Sequence, residues 1–203
     1  RVPRPRRQPI ITYMDSLTSD LPDTLVGPRL DLVLVTVEQL LSRDGQHEPV
    51  ALPFPDPHDV LHPARSPLKY RIDQVRADPS VNPWLLRLAV LRGSEPTIVG
   101  LGNFHDRPDA VGMVEIGYSV LPTYRRQGFG REIAMTMWQF AASCPNVAVL
   151  RASVAPTNVP SLAIIESAGF VKVGEQDDPE DGLEWVFDMP ARDFRPLPAG
   201  PKT

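Results

Sequence analysis

Cysteine is almost missing from this chain. Cys144 is its single cysteine, so no intramolecular disulfide can form, and a reducing cytosol is the expected compartment. Lysine is nearly as scarce: Lys69, Lys172 and Lys202 are the only three, and arginine carries the remaining positive charge. No apolar run approaches the ~18 residues that a membrane span needs, and the first residues lack the apolar core of a secretory signal. The net charge of −4 argues against a dedicated nucleic-acid binder, because such chains are usually basic. Histidine is sparse too, but His47, His58 and His62 fall in one stretch with Asp56 and Asp59. Pro55, Pro57 and Pro63 interrupt that stretch, so no regular helix holds His58 and His62 on one face, and no metal site is expected.

What is present is an ordinary globular composition, with 42% apolar and 23% charged residues. A length of 203 residues suits one domain with a sizeable core. The 24 prolines gather at both ends and between Pro49 and Pro83, and they mark the organisation. Residues 1–27 read as an Arg/Pro-rich extension, whose first nine residues, RVPRPRRQP, have no periodicity. A nucleic-acid arm is the alternative there to a solvated terminus. Residues 28–189 form the folded unit, and 190–203 are a polar, Pro-rich tail.

Within the folded unit, residues 29–35 suit a first strand, and Thr36 caps a short helix that fades near Asp44-Gly45. The stretch 46–67 reads as a long surface segment. Leu68 to Ala77 is a helix with Leu68, Ile72 and Val75 inward. Trp84 to Leu91 and Thr97 to Phe104 are strands joined through Gly93-Ser94, and His105 sits solvated beyond the second. Val147 to Val154 is a further strand, apolar enough to be central. Asn158 opens a helix ending at Gly169. Phe170 to Val173 and Leu183 to Met189 make a last hairpin around an acidic loop, Gln176 to Gly182.

The stretch around which the rest is arranged is Val111 to Gly130. Val114, Ile116, Tyr118 and Val120 alternate with Glu115, Gly117 and Ser119, the period of a strand. Pro122 ends it. After Arg125-Arg126-Gln127-Gly128-Phe129-Gly130, the residues Ile133, Ala134, Met137, Trp138 and Ala141 recur at helical spacing, to about Ser143. A helix start offers amides without intrahelical partners and partial positive charge. Gly128 and Gly130 would let a large anion approach the main chain, and Arg125, Arg126 and Arg131 surround the spot. The spacing departs from a dinucleotide fingerprint, with no glycine at Ile133, and from a Walker loop, with no Lys-Ser/Thr pair.

Glu115-Ile116-Gly117-Tyr118 followed by Leu121-Pro122-x-Tyr124-Arg125-x-x-Gly128-x-Gly130 resembles the acetyl-CoA-binding signature of the GNAT acetyltransferase superfamily. Asn158-x-x-Ser161 and Glu166-x-x-Gly169-Phe170 resemble that family's next block. The combination is most similar to the branch of ribosomal-protein N-terminal acetyltransferases, the RimJ/RimL-like group. The resemblance implies an α+β fold with a mostly antiparallel sheet of six to seven strands, flanked by about four helices. It also implies that the fourth and fifth strands, about 113–120 and 147–154, splay apart around the pantetheine arm. Main-chain amides near Val120 and Leu121 would then bind the arm, and those of Arg125, Arg126, Gln127, Gly128, Phe129, Gly130 and Arg131 the diphosphate. Asn158 and Ser161 would lie against the cofactor.

The chemistry implied is acetyl transfer from acetyl-CoA to a primary amine, on a protein, peptide or small molecule, by direct attack in a ternary complex without metal. Direct attack needs no enzyme nucleophile, so the lack of a Ser/His/Asp pattern is no objection. Glu115 is the candidate base, since a carboxyl in an apolar setting can reach the useful range; pairing with an arginine is its alternative role. Ser161 is the candidate contact to sulfur or a helix cap. Many relatives carry a tyrosine where this chain has Ile165, which removes that acid. A catalytically silent acyl-CoA sensor is the rival reading. A membrane partner is not expected, and a homodimer stays open.

Overall fold

The computed structural model describes residues 21–62, 67–179 and 182–196; the basic stretch 1–9 and the last residues, 197–203, lie outside them. Eight strands form one sheet. They are β1 (Thr24–Val26), β2 (Leu30–Leu34), β3 (Leu86–Leu91), β4 (Thr97–Phe104), β5 (Met113–Val120), β6 (Val149–Val154), β7 (Val171–Asp178) and β8 (Gly182–Pro190). Their spatial order is β1-β2-β3-β4-β5-β6-β8-β7. Every neighbouring pair is antiparallel except β5 and β6, which run parallel. Among the described residues there are four α-helices: α1 (Val37–Leu41), α2 (Leu68–Ala77), α3 (Phe129–Ser143) and α4 (Val159–Ser167). This is the mixed fold that the resemblance implied.

The parallel pair needs a crossover connection, and α3 supplies it. Ile133, Ala134, Met137, Trp138 and Ala141 are all fully buried, spaced along one helical stripe. Burying a side chain of that size contributes about 1.5–3 kcal/mol, so α3 is held by its packing on the sheet. Gly102 on β4 makes the approach close. A Cβ there would stand 2.6 Å from Met137 Sδ and 3.0 Å from Ile133 Cγ2.

The opposite face of β2–β4 carries a second core, in which Val35, Leu40, Leu61, Val75, Leu85, Leu86, Leu88 and Ile98 meet α1 and α2. Thr36 closes α1 with a reciprocal cap: its Oγ1 accepts from the Gln39 amide at 3.2 Å and its own amide donates to Gln39 Oε1 at 3.0 Å. Leu68, Ile72 and Val75 face inward from α2, as their spacing predicts.

Three details differ from the sequence expectation. Thr24–Val26 is a strand pairing with β2, too short to show a period, and it makes the splaying strands the fifth and sixth. Pro79–Trp84 forms a 3-10 turn, so the next strand starts at Leu86 rather than Trp84. The first part of the acidic stretch, Gln176 to Asp178, is strand rather than loop: Gln176 pairs with Glu184 and Asp178 with Gly182. Glu175 and Asp177 are exposed on the outermost strand, where charge discourages further strand pairing.

Candidate active site

The site begins where the parallel pairing stops. β5 and β6 pair at three positions only, Met113 with Val149, Val114 with Leu150 and Glu115 with Arg151. Beyond these, β5 stays with β4 as far as Val120 opposite Gly100, while β6 stays with β8 as far as Val154 opposite Trp185. The two strands separate around a cleft of about 420 Å³, walled by Ile116, Gly117 and Tyr118 on one side and Ala152, Ser153 and Val154 on the other. His105 donates its amide to Glu115 O at 2.9 Å, and Leu121 donates to Val99 O at 2.9 Å. These bonds fix the ladder phase, so the main-chain groups of Ile116, Tyr118 and Val120 turn away from β4 toward the cleft. The amide of Leu121, expected to face the same way, is already engaged with Val99.

After Val120 the chain makes a 3-10 turn, Pro122–Tyr124, and then the glycine loop. Arg126 and Gly128 lie in the left-handed region, with φ of 59° and 82°. Gly128 precedes α3 without any side-chain cap. Among the described residues the amides of Arg126, Gln127, Gly128, Phe129, Gly130 and Arg131 donate to nothing, and the first helical bond is that of Glu132 to Gly128 O. The one acid in that turn is directed elsewhere. Glu132 is buried and accepts from the amides of Arg29 at 2.5 Å and Leu30 at 2.8 Å, and from Arg29 Nε at 2.8 Å.

Side chains brace this loop without covering its amides. Arg125 Nε donates to Val120 O at 3.1 Å, Gln127 Nε2 to Thr123 O at 3.3 Å and Arg131 Nη1 to Ser167 Oγ at 2.7 Å. Arg29 joins from β2's approach: its guanidinium lies 4.5 Å over the Phe129 ring and Nη1 is 3.2 Å from Gln127 O. Sequence reasoning missed Arg29, which lies about a hundred positions from the loop and carries no local signal. A Cβ at Gly128 would come within 3.4 Å of this arginine, and one at Gly130 within 3.2 Å of Tyr118. A row of bare amides, a helix start and four arginines suit a diphosphate.

At the other end of the cleft, Glu115 is not in an apolar setting. Its carboxylate is 3.8 Å from His105 Nδ1 and its side chain is 14% exposed. Arg151, its cross-strand neighbour, is held by Asp188 through two bonds of 2.8 Å. His105, not Glu115, lines the cleft. His105 lies just past the strand end with a side chain 49% exposed, as its sequence position predicts, and the register of β4 against β5 in addition sets it opposite Glu115. Burial pushes its imidazole below the ordinary value of 6.5, the Glu115 carboxylate and Asp178 pull it upward, and Arg71 adds to the depression.

Ser161 and Asn158 also line the cleft. Asn158 Oδ1 accepts from the Ser161 amide at 3.3 Å, the helix cap expected of it. Tyr118 donates its hydroxyl to Ser161 Oγ at 3.1 Å, and burial raises its pKa against the effect of that bond. The phenol is thus protonated at neutral pH. Ile165 stands in the cleft wall, where no acid is available. Among the described residues no three His, Cys, Asp or Glu side chains converge on a common point, and no helix is long and apolar enough to cross a membrane.

Comparison with known proteins agrees with this geometry. A family model described as an acetyltransferase (GNAT) domain matches residues 44–171, a span that contains Glu115, the glycine loop and Ser161. An uncharacterized N-acetyltransferase of Bacillus subtilis, YjdG, is 34% identical over 74 residues, 36% of this chain and 44% of that protein. The chain thus matches less than half the length of that curated relative. Among solved structures, Mycobacterium smegmatis RimJ in complex with CoA-disulfide is 16% identical with a TM-score of 0.55, covering 85% of this chain and 89% of its own. Ribosomal-protein-S5-alanine acetyltransferase of Vibrio fischeri is 16% identical with a TM-score of 0.56, covering 85% and 99%. At such identities the likeness is one of fold, and it includes the branch that the motifs resemble. The splayed parallel pair, the uncapped glycine loop and the matched span together place this chain in the GNAT acetyltransferase family.

Proposed function

We propose that the protein is an acetyl-CoA-dependent N-acetyltransferase acting on a primary amine by direct attack within a ternary complex. The observation that carries this reading is the run of unpaired amides from Arg126 to Arg131, at the end of a strand whose main-chain groups turn into the cleft. Acetyl-CoA supplies the activated acetyl thioester. Its diphosphate would be held by the loop amides, with Arg29, Arg125 and Arg131 adding positive charge. The cleft-facing main chain of Tyr118 and Val120, together with Asn158, would hold the arm, and Leu121 would contribute only packing.

His105 and Glu115 divide the base role. An ammonium is no nucleophile, so the acceptor must lose a proton, and the cleft-facing imidazole receives it. Glu115 lies on the Nδ1 side, where it orients the ring and stabilises the imidazolium. A cleft-facing amide of β5 polarises the carbonyl oxygen as it becomes negative. Ser161 accepts from Tyr118 and so keeps its own hydroxyl proton for the departing sulfur.

Calorimetry with acetyl-CoA, paired with a thiol-release assay across amines and peptides, tests this reading. Binding and acceptor-dependent thiol release are expected. Binding without release for any amine would leave a silent acyl-CoA sensor, and absence of binding would remove the cofactor reading altogether.

A further inference from the structure

Arg71, on α2, is one of two buried arginines among the described residues that the chemistry above does not use; the other, Arg87, is enclosed by main-chain carbonyls and does not line the cleft. Arg71 is only 6% exposed and lines the cleft beside Tyr70 and His105. Removing a guanidinium from water costs several kcal/mol unless opposite charge replaces the solvent. Here the replacements are neutral. Nη1 donates to the His105 carbonyl and to the Gln74 side-chain oxygen, and among the described residues no carboxylate forms an ion pair with it. Asp106 is the acid that acts on it electrostatically, yet that carboxylate is exposed and turned to Gln74, at 3.4 Å, and Arg107, at 3.9 Å.

The unpaired part of Arg71 is a defined edge. Nε has no partner, and neither has Nη2 among the described residues. Arg151 shows what that edge takes in this same protein: its Nε and Nη2 hold the two oxygens of Asp188, each at 2.8 Å. Burial lowers the Arg71 guanidinium to about 10, which leaves it charged at neutral pH.

Position then selects the ligand. Because Nη1 rests on the carbonyl of His105 itself, an anion on Arg71 lies within one residue of the imidazole that would receive the amine proton. The facing wall carries the side chains of Gln176, Asp178 and Glu184, and Asp178 acts on His105 from that side. The cleft thus has the Arg71 guanidinium on its α2 side and the carboxyl groups of Asp178 and Glu184, the latter accepting from Gln176, on its β7 and β8 side.

Resting on the acetyltransferase reading, we propose that Arg71 anchors the carboxylate of the acceptor, so that the amine acetylated is that of a free α-amino acid. A polyamine would place a second cation beside a buried guanidinium, and a protein N-terminus has an amide where the carboxylate is required. Arg71 is a specificity-determining residue on this account, and its sequence position gave no sign of it.

The test compares each of the twenty amino acids with its own carboxamide, a tripeptide and spermidine in the thiol-release assay. Wild type and the variants Arg71→Lys and Arg71→Gln are used, with acetyl-CoA affinity measured on each. At least one free amino acid is expected to exceed its carboxamide in kcat/KM by roughly 10- to 100-fold, the value of a hydrogen-bonded charge contact. Both variants should raise KM for that amino acid by a similar factor, with kcat and acetyl-CoA affinity nearly kept. Three results overturn the proposal while leaving the acetyltransferase reading intact: carboxamide, peptide or spermidine turned over as well as the acid; turnover of one of these with no amino acid active; or a KM rise equal for acid and carboxamide. If acetyl-CoA is not bound, or no amine at all is acetylated, the parent reading falls and this one with it.

Discussion

His105 and Glu115 show how a single register assignment brings two unremarkable residues within 3.8 Å of each other, the pair proposed above to handle the acceptor's proton. Burial disfavours the imidazolium, so the ring is neutral, and able to accept a proton, at a lower pH than a free imidazole. The acid limb of the kcat/KM profile is therefore expected below 6.5. Removing the Glu115 charge removes an upward pull, so Glu115→Gln should move the His105 titration further down, read directly by NMR of the ring protons, with lower turnover and unchanged acetyl-CoA affinity. A titration that does not respond to this change would sever the pair. Glu132 is the second residue with a defined task. Its carboxylate satisfies two main-chain amides and one guanidinium, so Glu132→Ala strands a buried donor at Leu30 and should cost about 2–3 kcal/mol in urea unfolding. The half-exposed Arg29 contact adds little to that figure.

Among the elements, the strand–loop–helix from β5 to α3 was the most readable. Alternation, a stopping proline and a long apolar period name it without tertiary help, and α2, β4 and α3 have the bounds their patterns predict. The Gly128 position carries the clearest test at this scale. An alanine there must adopt a φ of 82°, which costs about 1–2 kcal/mol, or else shift the amides of the loop. Gly128→Ala is expected to weaken acetyl-CoA binding by at least tenfold in calorimetry while melting only a few degrees lower. Equal affinity would show that the loop amides do not hold the diphosphate. Elements that depend on distant partners were illegible. β1 has three residues and exists because β2 offers an edge, and the acidic half of β7 has no apolar alternation at all. His105 and Arg71 became site residues only through the register of β4 and the docking of α2, which no local pattern encodes.

As a whole the molecule is acidic, with a net charge of −4, yet it gathers Arg29, Arg125, Arg126 and Arg131 around one helix start. Attraction for a multiply charged anion is then local and short-ranged, since the screening length is ~10 Å at 0.1 M salt. Raising salt from about 50 to 500 mM should weaken acetyl-CoA binding several-fold, while an S-acetylpantetheine fragment, which lacks phosphate, should be indifferent. A parallel loss for both ligands would mean that the arginines bind nothing.

The three residue pairs that join β5 to β6 have a mechanical meaning. The sheet consists of two leaves, β1–β5 and β6–β8, stitched along one short seam and tied by the single helix that crosses from one to the other. Each leaf keeps its own antiparallel ladder when the seam parts, so this short line of pairing runs into the candidate site. A molecule thioester-deep between the leaves would suture that line from the inside, and tightness of grip and stiffness of the fold would rise together.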